Sequence, residues 1–208
     1  MEKSASAKTS YLGPDGQALD AKPESMTSLI GRQLAEKDHP TIVLRGKIDS
    51  FCALALDAQA LGELHGNNAF IEDIQGALDF ARSLYAAEYQ RVPLGEFRIL
   101  GMTSDELREK SHYPQKHFGH GHLLMDRSMG PLCLRINLLR AAAREAEIAA
   151  STALQTIRAD GSGLESERCY EDIVMALNRL SSLFYILVYK YLPDGYVPAG
   201  SPWKTTVA

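Results

Sequence analysis

PLCLRINLLRAAAREAEIAASTALQTI, residues 131–157, decides the fold class. Leu132, Ile136, Leu139, Ala143, Ala146 and Ala150 recur every three or four positions, the spacing that stacks side chains on one face of an α-helix. The alanines between them have the highest helix propensity, and Pro131 stands where a missing N–H costs least, at a helix start.

Working outward, Asp160-Gly161-Ser162-Gly163 breaks the pattern. Tyr170, Ile173, Leu177, Leu180, Phe184 and Leu187 then mark another long helix that ends near Tyr191, before Pro193-Asp194-Gly195. Upstream, Asn67 and Asn68 are N-cap residues for a helix to about Gln90 with Ile71, Ile74, Leu78, Ala81 and Tyr85 on one stripe, closed by Pro93 and Gly95. From Thr41 to His65 apolar residues fall on more than one side, as in a helix buried within a bundle. Thr103-Ser104-Asp105-Glu106 has the form of a capping box and predicts a short helix to about Lys110. The aperiodic stretch from Ser111 to Gly130 has a length typical of functional loops.

No strand pattern, repeat or heptad array is visible, so the expected class is all-α, an antiparallel helical bundle over residues 26–195. Residues 1–25, rich in small and polar side chains and turning at Gly13-Pro14-Asp15-Gly16, read as a flexible N-terminal arm. Residues 196–208 read as a tail.

A chain of 208 residues suits one domain, and 45% hydrophobic with 23% charged residues excludes a mostly disordered protein. A net charge of −4 and a pI near 5.9 offer no bulk attraction to nucleic acid or an anionic membrane, so any anionic ligand needs a local cluster. The first 25 residues contain neither a signal-peptide core nor a membrane-spanning run, and Cys52, Cys133 and Cys169 are expected as free thiols. The expectation is a cytoplasmic protein with no nucleic-acid or membrane partner.

Arg140, Arg144 and Glu147 lie at i, i+4 and i+7, so two guanidiniums and a carboxylate share a helix face. Such a triple is either a solvated face with intrahelical ion pairs or, among these Ala and Leu neighbours, a bidentate grip on phosphate at a bundle or subunit seam. Asn178, Ser181, Ser182 and Tyr185 repeat that spacing, either as an exposed polar face or as a hydrogen-bonding stripe for a ligand. Arg45, Lys47 and Asp49 put charge near the start of the first long helix. His112, His117, His120 and His122 crowd the aperiodic stretch, where a polar loop role and a structural metal are both open, although His120-x-His122 alone supplies only two ligands.

RGKIDSF (45–51), INLLRAAAREAE (136–147), ALNRLSSLFYI (176–186) and LGMTSDELREKSHYPQKHFGHGHL (100–123) together resemble the cobalamin adenosyltransferase family in its ethanolamine-utilisation branch, over roughly Lys22 to Tyr191. The resemblance implies a five-helix bundle forming a homotrimer, with ATP between neighbouring subunits and a corrinoid against the same cleft. By that resemblance Arg140 and Arg144 grip the triphosphate, Glu147 assists Mg²⁺ or orients an arginine, and Asn178 bonds the nucleotide beside Ser181. Asp49 matches the family aspartate that pairs with Arg140 across the subunit interface. Thr27, Lys37, Arg45 and Lys47 are further ATP candidates. On the corrinoid side stand Phe118, His120, His122, Leu124 and Met125, with Leu124 or Met125 displacing the lower axial ligand of cobalamin.

Departures from the related propanediol-type branch fall at Glu145, where that branch has a second arginine, and at Ser182, where it has an aspartate. Its Gly/Thr-rich nucleotide loop is not found. The His and Cys-Cys metal region of some ethanolamine-type members is expected to be missing, since no cysteine precedes Cys52.

The implied activity transfers the 5′-deoxyadenosyl group of ATP to cob(I)alamin, giving adenosylcobalamin and triphosphate. That chemistry asks for positioning and charge stabilisation rather than an acid–base pair. The rival reading is a non-catalytic corrinoid-binding or delivery protein on the same fold. The implied partners are a cobalamin-dependent lyase or mutase and a reductase, with a bacterial microcompartment as a further location.

Overall fold

The computed structural model describes residues 10–197. The chain enters through two short antiparallel pairs, β1 (Tyr11–Leu12) with β2 (Ala18–Leu19) and β3 (Met26–Ile30) with β4 (Gln33–Glu36). A parallel contact between Leu12 and Gln33 joins them in the order β2-β1-β4-β3. This sheet departs from the expectation of no strands. Strands β1 and β2 are too short for alternation to show, and in β3 and β4 only the adjacent Leu34 and Ala35 are fully buried, which breaks the period of two. Residues 1–9 of the arm and 198–208 of the tail lie outside the described residues.

Helix α1 (Pro40–Leu64) begins at His39, whose Nδ1 accepts from the Thr41 N–H at 3.2 Å, with Pro40 in the first turn. Helix α2 (Asn68–Gln90) begins where Asn67 Oδ1 accepts from Phe70 N–H at 3.0 Å and stops at Arg91 in the left-handed region, φ 58°. The two helices approach closely at Gly62, where a Cβ would stand 2.8 Å from Ile71 Cγ1 and 2.9 Å from Phe70 Cδ1. Gly62→Ala is therefore expected to destabilise the fold by about 1–3 kcal/mol through overpacking, read as a fall in the urea midpoint.

After α2 come a two-residue hairpin, β5 (Arg98–Ile99) and β6 (Met102–Thr103), then α3 (Ser104–His112) and α4 (Pro114–Phe118). The capping box forms as expected: Thr103 Oγ1 accepts from Glu106 N–H at 3.2 Å and Glu106 accepts from Thr103 N–H at 2.8 Å. Those bonds hold the Glu106 carboxyl below its ordinary range. The stretch expected to be aperiodic thus contains α4 and a single 3-10 turn at Arg127–Met129. Two long helices close the chain, α5 (Gly130–Ala159) and α6 (Leu164–Lys190).

Polar pairs between helices fix their directions. Gln59–Gln75 and Arg45–Glu88 make α1 and α2 antiparallel, and Lys47–Glu145 with Arg135–Asp57 do the same for α1 and α5. Asn178–Glu147 and Arg158–Glu167 set α5 against α6, and Lys190–Asp73 with Cys169 Sγ to the Ala87 carbonyl sets α2 against α6. Around the bundle the order is therefore α1, α2, α6, α5, so the α1/α2 face lies opposite the α5/α6 face.

Because α2 and α5 run the same way, residues 91–129 must travel the length of the bundle. They do so along α6. Asp172 accepts from the Leu94 and Gly95 N–H groups, Arg179 donates to Ser104 Oγ, Tyr189 donates to the Gly121 carbonyl, and Tyr196 donates to Asp126.

The core lies between the four long helices. Phe51 and Phe184 meet with ring centroids 5.6 Å apart, among Leu44, Ile48, Leu78, Ile136, Leu139 and Leu180. Alanines 143, 146, 150 and 153 are fully buried, which lets α5 approach its neighbours closely. Helix α6 is long and apolar enough to cross a bilayer, but Ile173, Leu180, Phe184 and Leu187 are buried in this core, which accounts for its composition.

Candidate functional site

The α5/α6 face carries the first group of sequence-identified residues. Asn178 Nδ2 donates to Glu147 Oε1 at 2.7 Å, and Arg179 Nη1 donates to Asn178 Oδ1 at 2.8 Å. The hydroxyls of Ser181 and Ser182 turn back onto the Asn178 carbonyl at 2.8 and 3.2 Å, and Ser181 is buried. The antiparallel register through Glu147–Asn178 and Arg158–Glu167 sets Arg140 level with Tyr185 and Arg144 level with Ser181. Arg140 is half-buried and donates from Nε to Asn137 Oδ1 at 3.0 Å. Arg144 is exposed and pairs with no other described residue. Glu145, the departure from the related branch, lies on the other flank of α5, paired with Lys47 of α1 at 2.7 Å.

The second group gathers on the opposite, α1/α2 face. Thr27 of β3 joins Ile42, Arg45, Asp49 and Tyr85 around a shallow cavity of about 450 Å³. Asp49 is exposed at its edge. Arg45, by contrast, faces the core: Nε and Nη2 donate to the two Glu88 oxygens at 2.6 and 3.2 Å, and Nη1 to the Ser28 carbonyl at 3.3 Å. Its guanidinium is thus engaged within the chain. Glu88 is fully buried, and Tyr170 donates to it at 2.7 Å. Burial beside that carboxylate pushes the Tyr170 phenol well above its usual range. Lys37 stands exposed just after β4, its N–H donating to the Ser25 carbonyl at 2.9 Å beside the start of β3.

The crossing segment holds the third group. Phe118 stacks on Tyr189 with centroids 4.7 Å apart and planes 15° from parallel. His122 Nδ1 lies 2.8 Å from the Tyr185 hydroxyl, which lies 2.8 Å from that of Tyr189. Leu123 and Met125 pack against the core while Leu124 is 63% exposed. His120 is half-buried. The histidines do not converge: His112 bonds the Arg108 carbonyl at 2.8 Å and His117 meets Glu109 at 3.3 Å. Among the described residues no three His, Cys, Asp or Glu side chains are grouped to hold a metal ion.

Tyr189→Phe removes the donor to Gly121 and is expected to raise the rate of proteolytic cleavage within residues 118–126 severalfold, with the helical circular dichroism unchanged.

The residues that periodicity left unnoticed are Arg179, Glu88 and Tyr189. Each has a partner 43 to 82 positions away along the chain, beyond the reach of spacing within one helix. A buried-side charge such as Glu88, in phase with Leu84 and Ala81, is the one signal that was available.

The curated corrinoid adenosyltransferase EutT of Escherichia coli (strain K12) is 31% identical over 173 residues, 83% of this chain and 60% of the relative. The protein of the same name from Salmonella typhimurium gives the same figures. The chain therefore spans about 60% of the length of the curated relatives it matches. No solved structure matches it. The family model described as cobalamin adenosyltransferase matches residues 19–191, which include α1, α2, the crossing segment, α5 and α6, and on that match the chain belongs to the cobalamin adenosyltransferase family.

Proposed function

We propose that this chain is an ATP:corrinoid adenosyltransferase of the ethanolamine-utilisation branch, working in the cytoplasm as a head-to-tail homotrimer. The observation that carries the assembly is the split of the candidate residues. Asp49 and Thr27 lie on the α1/α2 face, and Arg140, Arg144, Glu147 and Asn178 on the opposite α5/α6 face. One ligand meets both groups only where two copies join, and a heterologous contact repeated round a ring of three closes without leaving a face free. The outer side of α5 supports this, since Ile148, one turn beyond Arg144 on the same face, is 66% exposed. Asp49 then faces Arg140 of the next copy.

The corrinoid and ATP are substrates. The cobalt(I) electron pair attacks the ribose 5′ carbon, the C5′–O5′ bond breaks, and triphosphate leaves with the bonding pair. Arg140 and Arg144 stabilise the charge that develops on the phosphates. Asn178 offers hydrogen bonds to the nucleotide, and Lys37 adds positive charge at the rim, while Lys47 is engaged by Glu145. Glu147 has one carboxylate oxygen free of Asn178, enough for a contact to a Mg²⁺ held mainly by ATP phosphates. Arg45 acts as a support beneath the α1/α2 half. The crossing segment, with His120, His122, Phe118, Leu124 and Met125, faces the corrinoid, and the exposed Leu124 is the apolar side chain placed against its lower side.

Incubation with ATP, Mg²⁺ and chemically reduced cobalamin tests this reading. The expected result is the adenosylcobalamin spectrum with an equal amount of triphosphate, and neither product would refute it.

A further inference from the structure

We infer that Arg179 is a positioning residue for nucleotide binding: it fixes the side-chain amide of Asn178 in one orientation and ties it to the start of α3. The inference rests on the function proposed above for the identity of the ligand, and on hydrogen-bond chemistry for the orientation.

An asparagine amide is symmetric enough to flip unless its partners discriminate between its ends. Here they do. Glu147 is a carboxylate and only accepts, and it lies 2.7 Å from Nδ2. Arg179 is a guanidinium and only donates, and its Nη1 lies 2.8 Å from Oδ1. The reversed amide would set oxygen against carboxylate and NH₂ against guanidinium, losing both bonds. The donor end of Asn178 is therefore turned toward α5, the helix of Arg140 and Arg144, with one N–H left over. A ligand lying along α5 meets a donor there, which suits phosphate or ribose oxygens.

Arg179 is in turn held by the crossing segment. Its Nε donates to Ser104 Oγ at 3.0 Å, at the first residue of α3. Glu147, Asn178, Arg179 and Ser104 thus form one chain of bonds across α5, α6 and α3. Arg179 is half-buried, and desolvation of its guanidinium strengthens the charge-assisted bond to the Asn178 oxygen. A lysine at this position retains the charge but not the planar fork that reaches Asn178 and Ser104 together.

The test is calorimetric titration of the full chain with ATP and Mg²⁺, using Arg179→Met, Asn178→Ala, the double variant and Arg179→Lys. Arg179→Met alone is expected to weaken ATP binding about tenfold, the loss of one hydrogen bond to a charged group. In the Asn178→Ala background the same change is expected to alter affinity less than about twofold, because its effect runs through Asn178. Arg179→Lys should recover part of the affinity.

A second readout does not need the nucleotide. The Asn178 side-chain NH₂ signals in an ¹⁵N spectrum should shift and broaden in Arg179→Met and stay sharp in the unaltered chain. Equal losses of affinity in both backgrounds, or unmoved amide signals in Arg179→Met, would overturn the positioning role. Failure of the unaltered chain to bind ATP, with the amide signals behaving as expected, would overturn the function and the ligand side of the inference while leaving the orientation standing.

Discussion

Replacing Glu88 by alanine is expected to destabilise the fold by about 3–5 kcal/mol, enough to leave a marginal domain largely unfolded at 37 °C. Glu88 is fully buried on α2 and accepts from Arg45 Nε at 2.6 Å, Arg45 Nη2 at 3.2 Å and Tyr170 Oη at 2.7 Å. Arg91 stands 4.0 Å from the same carboxylate and stacks over the Tyr170 ring, 4.9 Å from its centroid. Its Nε and Nη1 are buried without a hydrogen-bond partner among the described residues. Without Glu88 the buried Arg45 guanidinium loses its carboxylate and the half-buried Arg91 loses the nearest one to it, leaving charge in the interior that water does not compensate. The loss should appear in the denaturant midpoint, with Tyr170→Phe costing only about 1 kcal/mol because that change leaves the charges paired. A Glu88→Ala chain as stable as the parent would show that the cluster is solvated.

The opposite pattern is expected for Arg144→Ala: activity reduced by about 10²–10³-fold with stability within about 0.5 kcal/mol of the parent. Arg144 is exposed on α5 and has no partner among the described residues, so the monomer loses no bond when it is removed. A guanidinium with no partner among the described residues, one turn from Arg140, is the group proposed to grip the ATP phosphates. Product formation under saturating ATP and a thermal melt of the same sample measure both halves. An active Arg144→Ala enzyme would remove the arginine grip on triphosphate from the mechanism.

The long helices were legible because burial on one side imposes a period. The expected 41–65, 68–90 and 131–157 became Pro40–Leu64, Asn68–Gln90 and Gly130–Ala159. Helix α6 begins six residues before the first apolar marker, Tyr170, in a polar stretch held to α5 by Glu167, which with Glu171 one turn further clamps Arg158. The β1–β4 sheet was not legible, since β1 and β2 have two residues each, the buried pair Leu34 and Ala35 of β4 are adjacent rather than alternating, and Leu12 meets Gln33 only through the fold.

At the site, the two stripes on α5 and α6 could be seen, but not that they bond each other through Glu147 and Asn178. Arg45 shows the limit most plainly. Beside Lys47 and Asp49 it reads as one of three surface charges, yet it is the one that turns inward, because Glu88 lies level with it on α2. Sequence spacing reports which face a residue shares with its neighbours along one helix. It does not report what stands across from that face.

The proposed site is built from two copies, with Asp49 from one and Arg144 from the next. The most direct measurement is the activity of a mixture of Asp49→Ala and Arg144→Ala chains, each nearly inactive alone, after dissociation and reassembly. In a mixed ring one seam of three joins an intact α1/α2 face to an intact α5/α6 face, so an equal mixture should recover about a quarter of the parent activity. A mixture no more active than the sum of its two parts would contradict the shared site.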